Sequence, residues 1–217
     1  MIIKTEDFFE FFWKNFLSYN MPITNNPFQK PLHCCNIKTM KILNSTRLSY
    51  QLMNANDTQL LFELDQDPEV MKYINGGKPT SKEDIENIFL PRMASYTNTN
   101  KGWGIWKSTI SSNAEFIGWI LVRPMDFFSD QPQLENLELG WRFMKKSWGK
   151  GYATEAAQHI MHALKNNGSA TQFSAIAVSD NLASVAIMKK LGMHFQKKDT
   201  HKDPLGDMLV EYYSIDV

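Results

Sequence analysis

The sequence has little cysteine and no excess of charge of either sign. Its 2 cysteines, Cys34 and Cys35, are adjacent, and His33 precedes them. Neighbouring cysteines rarely bridge each other, and three ligands on consecutive residues do not close a tetrahedral metal site well. The 23 lysines and arginines balance 23 acidic residues, which argues against a general binder of nucleic acid or membrane surfaces. We therefore expect no metal centre, no nucleic-acid partner and no membrane partner.

Long apolar runs and a secretory leader are also missing. No apolar run reaches the roughly 18 residues that a membrane span needs. Glu6, Asp7 and Glu10 stand where a signal peptide would be basic or apolar. With 43% hydrophobic residues in 217, the chain can bury a real core. We expect a cytoplasmic globular protein.

The first 40 residues differ in character from the rest. In the segment 5–19 the aromatic residues fall on one helical face: Phe9, Phe12, Trp13 and Phe16. Residues 20–40 hold three prolines and many polar residues, which is typical of a linker. We expect an N-terminal extension over 1–40, made of an aromatic amphipathic helix and a Pro-rich linker, and one domain over 41–217. The helix would pack on that domain, across a dimer or on another protein.

The segment 41–100 predicts one strand and three helices. The strand covers 46–52, and Asn56 or Asp57 caps the first helix. A second short helix follows over 69–74. Thr80 and Glu83 have capping-box spacing for a third helix, which Pro91 should kink or end.

The remaining pattern alternates strands with two helices. We expect strands over 101–108 and 115–122, a loop over 124–136, and strands over 172–178 and 208–215. Between the last two, Ser179 or Asp180 caps a helix over 182–190, and Phe195 begins a further strand. This order of elements suits a mixed sheet with helices on both faces, an α/β (α+β layered) fold.

The stretch 137–168 predicts a strand followed by a helix. Its first part alternates apolar with other residues, as a strand with two unlike faces does; the apolar set is Leu137, Leu139, Trp141 and Phe143. A helix with one apolar face begins near Tyr152 or Ala153, and Gly168 stands just past its last apolar residue.

The turn between that strand and helix is rich in glycine and lysine. The first N–H groups of a helix have no internal partner, and the helix dipole leaves partial positive charge there. Gly149 and Gly151 remove side chains that would keep a phosphate away, and the nearby lysines add positive charge; these are Lys145, Lys146 and Lys150. The turn therefore favours a phosphorylated ligand over a structural turn alone.

Two familiar nucleotide fingerprints do not fit this turn. Lys145 stands where the second glycine of GxxxxGK[ST] must be. The hexapeptide from Gly149 to Thr154 lacks the third glycine of the dinucleotide motif. A nucleotide binder is thus supported only by incomplete motifs.

A third pattern fits. The acidic strand, then WGKGYATEA, a helix, a second strand and SDNLASVAIMKKLGM resemble the GNAT acetyltransferase superfamily. The resemblance covers roughly residues 45–215 and is nearest to the branch of the RimJ and RimL ribosomal-protein N-terminal acetyltransferases. It implies a GNAT-like mixed, mostly antiparallel central sheet, with acetyl-CoA as cosubstrate and its pyrophosphate on the glycine turn.

The same resemblance assigns the residues that contact the cofactor. Main-chain groups of the last strand residues would pair with pantetheine or hold the oxyanion, and the DNLAS segment would contact the pantetheine arm. The full set is Phe143, Met144, Lys146, Trp148, Gly149, Lys150, Gly151, Tyr152, Ala153, Thr154, Asn181 and Ser184. Lys189 and Lys190 are further candidates for a phosphate contact.

Acyl transfer to an amine needs a group that accepts a proton and one that donates a proton to the thiolate. The resemblance makes Glu138 the candidate base and Ser184 the candidate acid. Many family members have a tyrosine seven residues after the position of Asn181, and this chain has Met188, which cannot donate a proton. The acid role therefore falls to Ser184, to a water, or to no group.

The resemblance implies an N-acetyltransferase that moves an acetyl group from acetyl-CoA to a primary amine. The acceptor would be a protein N-terminus or a small molecule such as an amino acid, a polyamine or an aminoglycoside. An acidic cleft would favour a polycation. The alternative is a catalytically weak CoA-binding sensor or partner module that acts through the N-terminal helix. Either a monomer or a homodimer is compatible with the sequence.

Overall fold

The computed structural model of the protein describes residues 39–217. The expected helix over 5–19, most of the linker, His33 and both cysteines lie outside the described residues. The boundary between an extension over 1–40 and a domain over 41–217 stays a prediction. Within 39–217, no helix is both long enough and apolar enough to cross a membrane.

Seven strands of the described chain form one sheet with the order β1-β2-β3-β4-β5-β7-β6. They are β1 Leu48–Leu52, β2 Gly104–Ile110, β3 Phe116–Met125, β4 Gln133–Phe143, β5 Gln172–Ala177, β6 His194–His201 and β7 Met208–Asp216. Every neighbouring pair is antiparallel except β4 with β5. The mixed, mostly antiparallel sheet is confirmed.

Helices cover both faces of this sheet, as expected. They are α1 Thr58–Leu64, α2 Pro68–Asn75, α3 over 82–96, α4 Tyr152–Asn166 and α5 Leu182–Lys190. Odd-numbered β4 residues such as Leu137 and Leu139 pack with the apolar stripe of α4, which includes Ile160. On the other face, Leu64 of α1 and Met93 of α3 form a second core. The alternation of β4 separates these two cores.

The feature that positions the site is the short contact between β4 and β5. Their parallel pairing covers three residue pairs and ends at Glu138 with Ser174. Beyond this point β4 continues along β3 to Phe143. The two strands therefore separate in the middle of the sheet, and a parted pair of strands exposes main-chain N–H and C=O groups.

The loop predicted over 124–136 is wrong in both of its boundaries. β3 runs to Met125, and β4 begins at Gln133. Cross-strand pairing extends the hairpin, because Met125 is opposite Gln133 and the Gln133 amide donates to Asp126 at 2.7 Å. Polar residues at the end of a hairpin carry no strand periodicity, so the sequence pattern missed them.

Two of the expected helix caps are one or two residues displaced. Ser81, rather than Thr80, caps α3, because its hydroxyl accepts the Asp84 amide N–H at 2.9 Å. Asn181, rather than Ser179 or Asp180, caps α5. Adjacent polar residues can each serve as a cap, and tertiary contacts select one of them.

The cap expected at Asn56 or Asp57 is also displaced. Asn54 caps a short 3₁₀ turn that precedes α1. Asp57 stands directly before α1, but its carboxylate binds Lys107 at 2.8 Å and makes no side-chain cap bond to the helix. A tertiary ion pair thus replaces the expected cap.

Pro91 does not end α3. A π-helical turn, Ile85–Phe89, lies directly before the α-helical part Leu90–Tyr96, in which the proline stands in the first turn. Proline has no N–H and clashes with the carbonyl four residues earlier, and a π turn is one way to accommodate both effects.

Candidate active site

A cleft of about 510 Å³ opens where β4 and β5 separate. Its walls are the end of β4, the glycine turn, the first turn of α4, one face of α5 and part of α2. Most residues expected at the cofactor line it: Phe143, Trp148, Gly149, Gly151, Tyr152, Ala153, Thr154, Asn181 and Ser184. The structure does not bring Met144, Lys146 or Lys150 to this lining.

The glycine turn leaves the N-terminus of α4 open. Gly149 and Gly151 have φ values of 72° and 77°, a region that L side chains rarely adopt. Gly151 is the N-cap residue and provides no side chain to bond the first N–H groups of the 15-residue helix. Within residues 39–217, a Cβ atom at Gly149 would meet no atom within 4 Å. In this part of the chain the turn therefore presents unpartnered donors and free space to an anion.

Arg47, which the sequence reasoning missed, fixes this turn. Its Nε donates to Glu155 Oε2 at 2.6 Å, and its Nη1 donates to the Lys150 carbonyl at 3.0 Å. The Ser45 hydroxyl donates to the other Glu155 oxygen at 2.8 Å. The start of β1 is thereby joined both to the turn and to the first turn of α4. Only the fold brings these residues together, because more than 100 positions separate them.

We predict that Glu155 gives the protein a pH-dependent stability. Burial pushes the pKa of Glu155 upward, but hydrogen bonds from Ser45 and Arg47 and the Arg47 charge outweigh it, so the pKa lies below its ordinary 4.5. A lowered pKa stabilises the fold above the unfolded pKa, and this contribution is lost as pH falls through the folded pKa. Glu155→Gln should lower the melting temperature at pH 7, and the gap to wild type should close on acidification below pH 4.5. Melting curves of both proteins test this.

The control for this prediction is Glu86→Gln. Glu86 is exposed and forms no ion pair among residues 39–217. Its melting temperature should follow wild type at every pH. A constant gap between wild type and Glu155→Gln from neutral to acidic pH would contradict the assigned role of the Glu155 charge.

The end of β4 offers main-chain groups to the cleft. The Met144 amide donates to the Ile117 carbonyl of β3 at 2.9 Å. Because antiparallel strands alternate the direction of their main-chain groups, those of Trp141 and Phe143 point to the side from which β5 has separated. The Phe143 carbonyl accepts the Trp148 indole N–H at 2.7 Å. The expected main-chain role thus fits Trp141 and Phe143, and it does not fit Met144.

Two of the expected lysines are not part of the cleft lining. Lys146 forms an ion pair with Glu115 at 2.5 Å, and its hydrogen bond is the main reason why the pKa of Glu115 is lowered. Lys150 contributes its carbonyl to Arg47. The lysines that line the cleft are Lys72 of α2 and Lys190 of α5. Lys190 was among the lysines expected to contact a phosphate, whereas Lys145, Lys146 and Lys150 are not part of the cleft lining.

Ser184 lies at the inner end of α5 with a polar environment. Its Oγ accepts the Trp141 indole N–H at 3.1 Å, and its main-chain N–H donates to Asn181 Oδ1 at 3.2 Å. Because the hydroxyl oxygen already accepts, its own hydrogen is available to another acceptor. Met188, one turn further along α5, is fully buried in the core and does not face the cleft.

Glu138 lies on the opposite face of β4 and does not line the cleft. Its side chain is 6% exposed, and its Oε2 accepts from Arg123 Nε at 2.7 Å. The two residues are opposite each other in the β3–β4 register. Burial pushes the pKa of Arg123 downward, but the charge and hydrogen bond of Glu138 outweigh it and raise the pKa. The pair therefore places the Glu138 carboxylate beside the point where the strands part.

Residues 39–217 contain no group of three or more histidine, cysteine or acidic side chains placed to bind one metal ion.

Comparison with known proteins agrees with this geometry. The model of the acetyltransferase (GNAT) domain matches residues 47–194. The chain is 26% identical over 183 residues to FsC-acetyl coenzyme A-N(2)-transacetylase of Aspergillus fumigatus, covering 81% of this chain and 77% of that protein.

Solved structures give the same result for the fold. A GNAT-family acetyltransferase from Bacillus anthracis superposes with a TM-score of 0.63 at 26% identity, covering 80% of this chain and 96% of that one. RimL, a ribosomal alpha-N-protein acetyltransferase solved with coenzyme A, has a TM-score of 0.60 at 14% identity, over 83% of this chain and 98% of its own. At that identity RimL supports the fold alone.

Proposed function

The chain belongs to the GNAT family of acetyltransferases, and on this basis we propose that it moves the acetyl group of acetyl-CoA to a primary amine of a protein N-terminus or a small molecule. The observation that carries the proposal is the open N-terminus of α4, which lies in one cleft with the parted end of β4 and with Ser184. The WGKGYATEA turn supports placement in the RimJ/RimL-like branch. We further propose a cytoplasmic protein that is a monomer or a homodimer.

The residues of the cleft fit acetyl-CoA. The first N–H groups of α4, together with the side-chain-free Gly149 and Gly151, would hold the pyrophosphate. The N–H groups of Trp141 and Phe143, which face the gap, would pair with the pantetheine arm in the manner of an added strand. When bound, acetyl-CoA supplies a thioester that an amine can attack.

The transfer needs a proton to leave the amine and a proton to reach the sulfur. As the amine nitrogen bonds to the acyl carbon and the C–S bond breaks, Glu138 accepts the amine proton directly or through a water. Ser184 donates its hydroxyl proton to the departing thiolate and regains one from solvent. The Trp141 indole orients the Ser184 oxygen, so that the hydroxyl hydrogen points away from the indole.

Replacing Ser184 by alanine should lower kcat about tenfold while leaving the affinity for acetyl-CoA within about twofold of wild type. The expected loss is smaller than the roughly 100-fold at the low end of general acid catalysis, because a water can replace the hydroxyl. The Asn181 cap remains, since it binds the main-chain N–H of residue 184. Steady-state kinetics and calorimetric titration check this.

Ser179→Ala is the matched control for that variant. The Ser179 hydroxyl is buried without a hydrogen-bond partner in the described chain, and it lies outside the cleft lining. Its kcat should equal that of wild type. If the kcat of Ser184→Ala also equals that of wild type, Ser184 does not donate the proton to the thiolate.

One observation favours the alternative of a CoA-binding sensor. Met188 stands where many relatives place a tyrosine, and it is fully buried, so neither its side chain nor its position provides an acid. A sensor would bind acetyl-CoA and release no thiol with any amine.

Calorimetric titration with acetyl-CoA tests the cofactor assignment itself. We expect saturable binding at one site and no competition from equal concentrations of ATP or NAD. Absence of acetyl-CoA binding, or displacement of acetyl-CoA by either nucleotide, would contradict it.

A further inference from the structure

Three partly buried arginine–carboxylate pairs lie on the face of the sheet covered by α1, α2 and α3. They are Arg92 with Asp203, Arg123 with Glu138 and Arg142 with Asp65, at N···O distances of 2.7, 2.7 and 2.5 Å. Their side chains are between 6% and 21% exposed. Removing such charges from water is unfavourable, so a cluster of them beside a cleft is a candidate functional site.

Tyr96 of α3 is placed within this cluster. Burial is the main reason why its pKa is raised, and Arg123, Glu138 and Arg92 all act on its hydroxyl. Each carboxylate in the cluster has its own arginine, so the three pairs add no net charge to this face. The cluster itself therefore does not provide an acidic surface that would favour a polycationic acceptor.

The Arg123–Glu138 pair leaves donors and an acceptor free. The pair uses Nε of Arg123 and Oε2 of Glu138, and the described residues provide no hydrogen-bond partner for the terminal nitrogens of Arg123 or for Glu138 Oε1. The guanidinium carbon lies 5.3 Å from the centre of the Phe128 ring and 5.8 Å from the centre of the Tyr96 ring. A guanidinium with two free terminal nitrogens has the geometry that binds a carboxylate with two hydrogen bonds.

We propose that the acceptor carries a carboxylate close to its amine, as an α-amino acid does. The amine would lie at Glu138 Oε1 and the carboxylate at the terminal nitrogens of Arg123. A zwitterion matches this pair of opposite charges, whereas a polyamine would face Arg123 with a second cation. The N-terminus of a protein has no carboxylate at that distance. This inference rests on the proposed acetyl transfer and specifies its acceptor.

Matched acceptors test the inference in a thiol-release assay with acetyl-CoA. The panel holds the twenty common α-amino acids, the carboxamide of each, a short peptide, a polyamine and an aminoglycoside. An amino acid carboxamide has the same side chain and an amine that loses its proton more easily. A preference for the free acid therefore cannot come from amine reactivity.

We expect at least one free amino acid to be acetylated with a kcat/KM at least tenfold above that of its carboxamide. Equal or better use of the carboxamides would overturn the inference, and so would turnover confined to the peptide, the polyamine or the aminoglycoside. Acetyl-CoA binding without turnover of any amino acid would overturn it too. Failure of acetyl-CoA to bind at all would instead contradict the proposed function.

Arg123→Gln separates recognition from structural support. Loss of the guanidinium should reduce activity toward every acceptor, because Glu138 loses its partner. The ratio of kcat/KM for acid over carboxamide should fall to about one only if Arg123 binds the carboxylate. Arg123→Lys should retain part of the preference, since it keeps the charge.

Arg92→Gln is the control within the same cluster. Arg92 binds Asp203 and packs against the Phe128 ring at 3.9 Å, and the only ion pair of Glu138 among the described residues is with Arg123. It should keep the wild-type ratio of acid over carboxamide. An unchanged ratio in Arg123→Gln would assign Arg123 to structural support alone.

Discussion

Replacing Gly149 by alanine is expected to weaken the binding of acetyl-CoA by about 10- to 100-fold. Gly149 lines the cleft, and its φ of 72° is strained for any residue with a Cβ. A methyl group there would occupy space at the mouth of the open helix N-terminus and shift the turn. Hydrogen bonds to charged groups contribute about 1.5 to 3 kcal/mol each, so the loss of one accounts for the expected change. Calorimetry with acetyl-CoA measures it.

The control for Gly149→Ala is Gly168→Ala. Gly168 follows the other end of α4 and has a φ of 67°, and a Cβ atom there would likewise meet no atom of the described residues within 4 Å. Both variants should therefore lose a similar stability, about 1 to 2 kcal/mol for an L residue in this conformation. Only Gly149→Ala should lose affinity. If both variants lose the same affinity for acetyl-CoA, or if neither loses any, the result would contradict the assignment of a phosphate contact to the glycine turn.

Replacing Glu138 by glutamine is expected to lower kcat about 100-fold or more. Glutamine keeps the shape and a hydrogen-bonding oxygen but cannot take the amine proton, and general base catalysis contributes about 100- to 10,000-fold. The affinity for acetyl-CoA should stay within about twofold of wild type, because Glu138 does not line the cleft. Single-turnover kinetics separate the chemical step from binding.

Glu135→Gln is the control on the same strand. Glu135 is exposed, and its carbonyl, which the substitution keeps, pairs with Thr171. Its kcat should match wild type. A kcat for Glu138→Gln within about threefold of wild type would leave Glu138 as half of a structural ion pair.

The sequence was most informative where the local pattern alone specifies the geometry. Alternation along 137–143 predicts a strand with two unlike faces, and glycines followed by apolar residues at helical spacing predict the open start of α4 near Tyr152. These two features are consecutive in the chain. They contain 10 of the 21 residues that line the cleft.

The sequence was least informative where distant segments meet. The Arg123–Glu138 pair depends on the register of the β3–β4 hairpin. The strands of this hairpin extend beyond the residues whose apolar alternation predicts them. Arg47 reaches α4 from the start of β1. Lys146 was expected at the cofactor because it adjoins the glycines, yet Glu115 of a neighbouring segment attracts it. Contacts between distant segments depend on tertiary packing, which periodicity and spacing do not encode.

Pairing between strands also decided which main-chain groups face the cleft. In the sequence, Phe143 and Met144 stand together at the end of the predicted strand, and both were expected to offer main-chain groups to the cofactor. The Met144 amide is bound to Ile117 of β3, and the alternation of an antiparallel ladder then leaves Phe143 to face the gap. A shift of one residue in register would have exchanged these roles.

The most direct test of acetyl transfer is thiol release from acetyl-CoA, measured together with the mass of the acceptor. The proposed function predicts that one class of amine releases coenzyme A and gains one acetyl group per thiol released. Saturable binding of acetyl-CoA with no thiol release and no acetylated amine across the panel would contradict it and support a CoA-binding sensor.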